Sequence, residues 1–592
     1  MATLYLKAAG GNWTDAATWS ATGSGGADSA GPPTAAADCI AEAGSGNLTI
    51  SATSVGKSFS AIAGAGNWAG TLTHSGGSQF TISGNVTFSA GMTFTTTTTA
   101  LLQINAASVL TTAGIVMCSI TATAAITLGG DVNFRSGGSG LLAFTLGAAS
   151  SLDLNGFNVN GFAANDRCII ASNTAGTSRT LTVNGGSFSN CDFRDINFST
   201  PSDLDLSSIT GFSGDCGGNT ISGGGTVLTF TPSTTQTWTG AGTTWDTIAR
   251  WTSRMPLPQD DVSMSGCTGG TVNVSRGTRL GRNIDWTGAT GTPTWSIASG
   301  ASDIYGSITL ISSMSLSHTT VTLNLRGRGS HTITSAGKTW ASSSASSVAL
   351  LAFGGTYTLQ DAFIKGSGTG SLNLVDGTFD ANGFNVTLAA AQGLSSLGSA
   401  ARTLKMGSGT WTISGSGGST PWNCASSIGI QADTSTIVFS DTGAGNKTFA
   451  GGSRTYNDFR LNGGGAGTVT ISGSNHTFNR IYTNGGGIRT LILPTNTNIL
   501  SGSGLANGTN VITFTASGAT ATITKTSGVL SWDYVNLTNI PSAGGATFYA
   551  GSHSTDGGGN TGWNFTDAPA TPGGRGSLGR IGANTLSIGL GV

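Results

Sequence analysis

The chain is poor in charge. Only 9% of its 592 residues are Asp, Glu, Lys or Arg, against about 25% in an ordinary globular domain. The formal net charge is −1, from 25 basic and 26 acidic residues, so the chain lacks the electrostatic footprint of a protein that binds nucleic acid or an anionic membrane surface. Glu42 is the single glutamate. Because helices are built largely from Ala, Leu, Glu, Lys and Arg, this scarcity argues against a helical fold.

The chain also lacks the segments and cysteine patterns of several protein classes. It has no apolar run of about 18 residues, which a membrane-spanning helix needs, and no basic segment followed by an apolar one at its start. We therefore expect a chain that is made in a cytoplasm and not exported. Its seven cysteines are widely spaced and form no CxxC pair, which excludes zinc ribbons and thioredoxin-type sites. We expect them to be small buried side chains.

Glycine is abundant, with 95 residues, and short segments mix apolar residues with threonine. Disorder is excluded because 37% of the residues are hydrophobic, including 13 Trp and 24 Phe. Residues 180–183, 226–230 and 511–515 have the pattern of half-buried strands. Residues 95–99 are five consecutive threonines, whose β-branched side chains suit a pleated surface. The sequence therefore predicts an all-β fold.

The length and the short strands favour one all-β architecture. A chain of 592 residues is too long for one sandwich, and the repeated Gly-His to Trp-Asp spacing of propellers is missing. Short strands with polar turns favour a parallel β-solenoid, in which Thr, Ser and Asn form ladders on the surface. At roughly 20–25 residues per coil, we expect about 25 coils and a rod on the order of 100 Å long.

Internal repeats indicate a duplication. Two opening segments share a Trp-x5-Trp spacing followed by Pro-x4-Asp. Their members are Trp13, Trp19, Pro33 and Asp38 in the first copy and Trp245, Trp251, Pro256 and Asp261 in the second. Further along, Asn-Gly-Phe-Asn-Val occurs at 155–159 and 382–386, and Arg-Thr-Leu occurs at 179–181 and 402–404. Three matches in the same order predict two related modules.

The two modules also end alike. Asp-Cys-Gly-Gly-Asn-Thr at 215–220 parallels Asp-Gly-Gly-Gly-Asn-Thr at 556–561, and the upstream segments 191–193 and 532–534 match at the same offset. We therefore predict tandem, elongated solenoid modules. The boundaries are 1–222 for the first module, 223–236 for a linker, 237–566 for the longer second module and 567–592 for a C-terminal tail.

The tail combines a Pro/Gly linker with an apolar alternation at its end. Leu586, Ile588, Leu590 and Val592 alternate with small residues up to the last position. A solvated tail does not need four aliphatic side chains on one face. We interpret the segment as a docking strand that adds to a partner's sheet edge, with closure of the chain's own last coil or a frayed tail as the alternatives.

A glycan-cleaving site needs two carboxylates roughly 5 to 9.5 Å apart. The densest acidic region consists of Asp192, Asp195, Asp203, Asp205 and Asp215. Asp203 and Asp205 would lie on one side of a strand about 7 Å apart, but Leu204 and Leu206 around them favour an ordinary exposed face. Asp260 and Asp261 are expected to cap a turn. Asp215 with Asn219, and Asp556 with Asn560, are expected to form Asx turns, with calcium as the lesser alternative.

Other catalytic patterns are missing. The five histidines form no HExxH motif, and the sequence has neither a defensible Gly-x-Ser-x-Gly elbow nor a complete Walker motif. We therefore predict no catalytic, metal-binding or cofactor-binding residues. The tryptophans of the two openings are expected to cap the first coil of each module. Trp422 and Trp563 lie beside turns and are the better candidates for ligand contacts.

The repeated opening and the closing segment 552–563 resemble those of bacteriophage-encoded β-solenoid proteins, which include tail fibres, tailspikes and virion-surface proteins. The resemblance covers most of residues 1–566, and its motifs are structural and not catalytic. It implies a structural virion protein, an elongated fibre or spike component that serves attachment to a host surface or particle decoration. It also implies contacts with other virion proteins and a host glycan or protein receptor, and a trimer by analogy with fibres.

Two other functions compete with this interpretation. One is a tailspike depolymerase that cleaves host surface polysaccharide, which a turnover assay would decide. The other is a secreted bacterial adhesin, which would need a secretion signal or an anchoring domain.

Overall fold

The structure is a computed structural model. It describes residues 2–62, 66–97, 99–137, 142–319, 321–341, 346–415, 420–463, 467–483, 490–500 and 511–569. Within these ranges the chain is all-β, and its helical elements are two 3-10 turns, Ala16–Thr18 and Ile248–Arg250. Neither turn is able to span a bilayer, and the described ranges contain no other helix. The C-terminal alternation, residues 586–592, lies outside the described residues.

The chain forms a parallel β-solenoid of about 21 turns, which confirms the predicted fold. Successive coils pair in register; for example, Leu101–Ile104 pairs with Ser119–Ala122 on the next coil. Within these strands alternate side chains are buried, so apolar residues fill the interior while Thr and Gln face outward. The number of turns is below the predicted number of about 25.

The first solenoid contains three main sheets and one strand pair. The strands of the first sheet, in spatial order, are Trp19–Ser20, Ala2–Leu6, Ala37–Ile40, Ser58–Ser60, Val86–Thr87, Ser108–Thr111, Ile126–Leu128, Ser151–Asp153, Arg179–Thr182, Ile196–Ser199 and Thr220–Ser222. Those of the second sheet are Gly11–Asn12, Leu48–Ile50, Thr71–His74 and Thr93–Thr96. Those of the third are Ser54–Gly56, Gln79–Ile82, Leu101–Ile104, Ser119–Ala122, Ala143–Leu146, Cys168–Ser172, Phe188–Arg194, Val159–Asn160, Val132–Phe134 and Val116–Met117, with Thr210–Asp215 beside Phe188–Arg194. Leu204–Asp205 pairs with Leu228–Thr229.

The second solenoid begins at Thr235, and five residues separate it from the last strand of the first, which ends at Thr229. Its long sheet contains Thr235–Gly240, Asp261–Cys267, Arg279–Gly281, Ile284–Asp285, Ser302–Ile304, Ile308–Thr309, Thr322–Leu325, Ser330–Thr334, Ser347–Leu359, Leu372–Asp380, Leu394–Ser396, Arg402–Lys405, Trp422–Cys424, Gly429–Gln431, Lys447–Ala450, Val469–Ser472, Thr490–Leu493, Ile512–Ala516, Val535–Thr538 and Thr555–Asp556. Two three-stranded sheets contain Thr271–Val274, Thr294–Ile297 and Ser315–His318, and Val529–Ser531, Thr547–Tyr549 and Trp563–Asn564. The remaining sheet contains Thr339–Trp340, Phe363–Lys365, Val386–Leu388, Thr410–Ile413, Thr436–Phe439, Thr455–Leu461, His476–Thr483, Asn496–Ile499, Thr522–Thr524 and Ser542–Ala543.

The repeated tryptophans close the first coil of each solenoid. The Trp19 indole N–H donates to the Trp13 carbonyl at 2.9 Å, and the Trp251 indole N–H donates to the Trp245 carbonyl at 2.8 Å. The ring centroids in each pair lie 4.9 and 4.8 Å apart, edge to face. All four side chains are buried, and Trp19–Ser20 forms the outer edge of its sheet. The two openings therefore have the same local structure, as their spacing predicts.

The internal Asn-Gly-Phe-Asn-Val repeat forms the same turn twice. Asn155 and Asn382 both have left-handed backbones, with φ of 48° and 50°. Their backbone amides donate to the carboxylates of Asp153 and Asp380, at 2.9 and 2.8 Å. Their side-chain amides each donate to a carbonyl of the preceding coil, at 3.1 Å in both copies. Asparagine tolerates this conformation better than most residues, which explains its recurrence here.

The two closing segments also share one hydrogen-bond network. Asp215 Oδ1 accepts from the Asn219 side chain at 2.8 Å, and Asp556 Oδ1 accepts from the Asn560 side chain at 2.5 Å. These are the expected Asx turns, since the amides of Gly217 and Gly558 donate to the same oxygens.

The closing asparagines also fix how the preceding coils align. The Asn219 amide donates to the Phe193 carbonyl at 2.9 Å, and the Asn560 amide donates to the Leu537 carbonyl at 2.7 Å. The structure therefore aligns Phe193 with Leu537, three residues beyond the Tyr534 that the sequence match places there. Loop length between the last two coils differs between the modules, which a constant offset does not reveal.

Candidate functional site

The densest acidic region lies where the two solenoids meet. Contacts join five successive coils of the second solenoid to the side of the first. In order along the second solenoid they are Asn165 with Asp246, Arg167 with Arg279, Ile169 with Tyr305, Asp195 with Arg328 and Gly176 with Phe353. Asp195 lies beside the end of strand Cys168–Ser172, because Ala171 pairs with Arg194.

From one coil of the second solenoid to the next, the contact point on the first solenoid shifts along the direction of its strands. It does not shift from one coil of the first solenoid to the next. Successive coils of the second solenoid thus meet successive positions of one strand of the first. Rods that ran side by side would pair coil with coil, so the two axes cross. The elongated solenoid that the sequence predicts is confirmed, and these contacts indicate that it consists of two rods that meet at an angle.

The centre of this joint is a buried carboxylate between two arginines. Asp192 has no exposed surface. Its Oδ1 accepts from Arg167 Nε at 2.9 Å, and its Oδ2 accepts from Arg279 Nε of the second solenoid. Arg279 Nη2 also donates to the Arg167 carbonyl at 2.6 Å, and Arg167 Nη2 donates to the Pro256 carbonyl at 3.2 Å. Two buried positive charges thus share one negative charge across the interface.

Two more ion pairs continue the joint. Arg328 Nη2 lies 2.6 Å from Asp195 Oδ1 across the interface. Asp303 accepts from Arg326 and from the Asn324 side chain, both at 2.7 Å. Burial alone would raise the pKa of Asp303, but the Arg326 charge and these hydrogen bonds hold that pKa below its ordinary value. The carboxylate is therefore ionised, and its pairing with Arg326 and Asn324 fixes the second solenoid beside the joint.

Gln259 covers the edge of strand Thr210–Asp215 of the first solenoid. Its Oε1 accepts from the Asp215 amide at 3.0 Å, and its Nε2 donates to the Ser213 and Thr231 carbonyls at 3.1 and 2.8 Å. One side chain thus satisfies three backbone groups that an uncovered sheet edge would leave to water. The Gln259 side chain therefore provides hydrogen bonds that a neighbouring strand would otherwise make with this edge.

A small apolar cluster lies beside these polar contacts. It consists of Ile169, Ala171 and Cys216 of the first solenoid and Tyr305 of the second. Burial raises the pKa of the Cys216 thiol to about 12, so it remains a neutral thiol. All seven cysteines are buried, as expected. Two of them, Cys168 and Cys191, stack on adjacent coils with their sulfur atoms 3.2 Å apart.

The remaining two acids of the predicted region lie apart from the joint and are exposed. Asp203 Oδ1 accepts from the Thr226 and Val227 amides at 2.8 and 2.9 Å, and Asp205 Oδ1 accepts from the Ser207 amide at 2.8 Å. These hydrogen bonds lower the pKa of both carboxyls. A glycosidase needs one carboxylic acid with a raised pKa. Asp203 and Asp205 therefore both have a lowered pKa, whereas the acid of a glycosidase needs a raised one.

A groove of about 370 Å³ opens beside Asp205. Buried Phe188 and Leu206 lie at its base. Its other lining residues are Gly186, Ser187, Leu204, Asp205, Ser208, Ile209 and Thr210. The groove combines an apolar surface with a carboxylate and three hydroxyl groups, which is the composition of small-ligand sites.

The aromatic candidates for ligand contact are corrected. Trp422 has no exposed surface, and Trp563 is only 8% exposed, because both point into the interior of the second solenoid. An exposed aromatic pair lies elsewhere: His553 stacks on Tyr534 at 4.6 Å, and its Nδ1 bonds to Asp533 Oδ2 at 2.8 Å. The sequence signal for this pair is weak, because the three residues come from two coils.

The acids of the joint were visible in the sequence, but their role was not. Arginines at 276, 279 and 282 and at 326 and 328 follow the acidic region in a chain otherwise poor in charge. This concentration of both signs was the available signal for a charged interface. Among the described residues no group of three or more His, Cys, Asp or Glu has the geometry to hold a metal ion.

Comparisons with protein-family models, with curated proteins and with solved structures find no match for this chain.

Proposed function

We propose that the chain is a structural component of a bacteriophage particle, a rigid bent fibre or spike that presents its surface to a host or to neighbouring proteins. The observation that carries the proposal is the joint: two solenoids are locked across Asp192 by arginines from both sides. A buried network of ion pairs and hydrogen bonds resists bending, and an appendage of a particle that carries mechanical load requires fixed geometry.

The composition of the surface supports a role in adhesion that involves no catalysis. Outward positions of the paired strands are mostly Thr, Ser and Asn, as in the ladder Thr182, Ser199 and Ser222 on three successive coils. Hydroxyl and amide groups bind glycans and other protein surfaces through neutral hydrogen bonds. The proposed role is therefore non-enzymatic, and the proposed location is the virion.

Partners in this proposal are other particle proteins and a host receptor. The C-terminal alternation of Leu586, Ile588, Leu590 and Val592 supplies an apolar strand for docking to a particle protein. Assembly as a trimer follows the analogy with fibres and spikes alone.

Imaging tests the proposal directly. Antibodies raised against the purified chain would be applied to phage particles released from the source culture and viewed by negative-stain electron microscopy. We expect labelled projections on the particles. Label on bacterial cell surfaces, with bare particles, would overturn the proposal in favour of an adhesin. Incubation of the chain with capsular polysaccharide or lipopolysaccharide should release no reducing ends; release that Asp203→Asn or Asp205→Asn abolishes would favour a depolymerase.

A further inference from the structure

The groove beside Asp205 exists because one coil of the first solenoid lacks a strand. Strand Leu204–Asp205 pairs with Leu228–Thr229 on the following coil. On the preceding coil the chain turns at residues 184–187 instead of forming a strand. A Cβ at Gly186 would lie 1.9 Å from the Phe157 carbonyl, so the close approach of the chain to the preceding coil requires glycine at this edge of the groove.

The groove has a firm apolar base. Phe188 packs edge to face against Phe193 and Phe198, with ring centroids 5.1 and 6.3 Å away. Leu204 and Ile209 are only partly buried and pack against the same core. Because the base belongs to the packed interior, the groove is already formed before any ligand arrives.

The polar rim has unused hydrogen-bonding capacity. Both hydrogen bonds to Asp205 end on Oδ1, from the Ser207 amide and hydroxyl at 2.8 and 2.6 Å. Among the described residues, Asp205 Oδ2 and the hydroxyls of Ser208 and Thr210 have no protein partner, and no cation pairs with Asp205. A carboxylate acceptor beside hydroxyl groups suits a ligand that brings several hydroxyl donors.

We infer that this groove binds a neutral saccharide, with the partly exposed Leu204 and Ile209 side chains against a sugar face and Asp205 accepting from sugar hydroxyls. Acidic sugars are disfavoured because the unpaired Asp205 charge would repel them. The volume of about 370 Å³ lies within the range of small-ligand sites, about 300–1,000 Å³. The inference deepens the proposed attachment role, on which its biological meaning rests, by naming the class of receptor.

Saturation-transfer NMR on the full chain tests the groove. The probes are the methyl glycosides of glucose, galactose, mannose and rhamnose, with methyl glucuronide as the acidic counterpart. We expect saturation transfer to at least one neutral glycoside and a weaker signal or none from the glucuronide. Absence of transfer to all four neutral glycosides, or stronger binding of the glucuronide, would overturn the inference.

Two variants and a matched control locate the binding. Asp205→Asn keeps an acceptor for Ser207 but removes the charge, and we expect roughly tenfold weaker binding, the effect of losing one charged hydrogen bond. Ile209→Glu should abolish binding. Asp153→Asn is the control, because Asp153 also accepts from the amide two residues ahead, at 2.9 Å, away from the groove. Equal binding by all three variants would place the saccharide elsewhere.

The test separates this inference from the proposed function. Saccharide binding is measured on the isolated chain and does not depend on where the chain is located. Unlabelled particles with intact saccharide binding would overturn the virion role alone. Labelled particles without saccharide binding would overturn the groove alone.

Discussion

The ends of the two solenoids have the same local structure but different surroundings. Residues 215–219 and 556–560 form the same Asp–Asn network. At the first end, Gln259 and Arg328 of the second solenoid cover this network and its strand edge. At the second end, the equivalent acid and glycines are exposed to solvent. The same closing motif therefore serves once as an interface and once as a free end.

The acidic residues near the two ends also differ in their surroundings. Asp192 is completely buried between arginines, whereas the side chain of its sequence counterpart Asp533 is 33% exposed and pairs with His553. The coils themselves are held by apolar interiors and backbone ladders, which need few charges. Contacts that fix one solenoid against the other must be directional, and ion pairs of the chain are concentrated at this joint.

The largest expected effect comes from removing the central acid of the joint. Asp192→Ala leaves Arg167 and Arg279 buried without their counter-charge, which typically costs about 3–5 kcal/mol. We expect a lower unfolding midpoint and a wider range of angles between the rods in small-angle scattering. Asp533→Ala is the matched control, and its exposed pair should cost about 0–1 kcal/mol. Similar losses in both variants would contradict a special role for the joint.

A smaller effect is expected from the side chain that covers the strand edge. Gln259→Ala leaves the Asp215 amide and two carbonyls without partners, at a cost of about 1–3 kcal/mol. Hydrogen exchange should accelerate in strand Thr210–Asp215 and remain unchanged in the second solenoid. Gln431→Ala, at an exposed position, is the control and should leave exchange as in the unmodified chain.

Acid should destabilise the second solenoid at the buried ion pair of Asp303, beside the joint. The pKa of Asp303 is held below its ordinary value of 3.8 in the folded chain, so its pairing stabilises the fold above that value and is lost as the pH falls through the folded-state pKa. Urea unfolding between about pH 2 and pH 6 measures this slope. Asp303→Asn should flatten it, whereas Asp205→Asn, at an exposed position, should change it less. If the unfolding free energy of Asp303→Asn depends on pH as steeply as that of the unmodified chain, other groups cause the acid sensitivity.

The smallest effect is expected at the free end. Asn560→Ala removes hydrogen bonds to Leu537 and Ile540, and about 1 kcal/mol of local stability. The loss should be confined to fraying of the last coil in hydrogen exchange. Asn219→Ala removes the same contacts at the covered end, so its effect should spread into the joint. If both variants show equal effects that stay local, the contacts of Gln259 and Arg328 with the first closing segment contribute nothing to its stability.

The coils were predictable because their causes are local. Alternation of apolar residues with threonine sets each strand, as in Ser119–Ala122, and the recurring Asn-Gly turns at 155 and 382 need a left-handed residue at fixed positions. The paired tryptophans of the openings could be recognised for the same reason, since each pair is only six residues apart.

The joint and the groove were not predictable because their causes are distant in sequence. Asp192 and Arg279 are separated by 87 residues, and Asp195 and Arg328 by 133. Their pairing depends on the angle between two rods, which no local pattern encodes. The groove depends on a strand that is missing from one coil, and burial of Trp422 depends on which face of its strand points inward. Alternation around Trp422 is too short to decide that face.

Small-angle scattering of the isolated chain tests the central claim most directly. The account predicts the outline of two rods that meet at a fixed angle, and a broader distribution of distances in Asp192→Ala. A single straight rod, which would reach on the order of 100 Å at about 4.8 Å per coil, would contradict the crossing of the two solenoids.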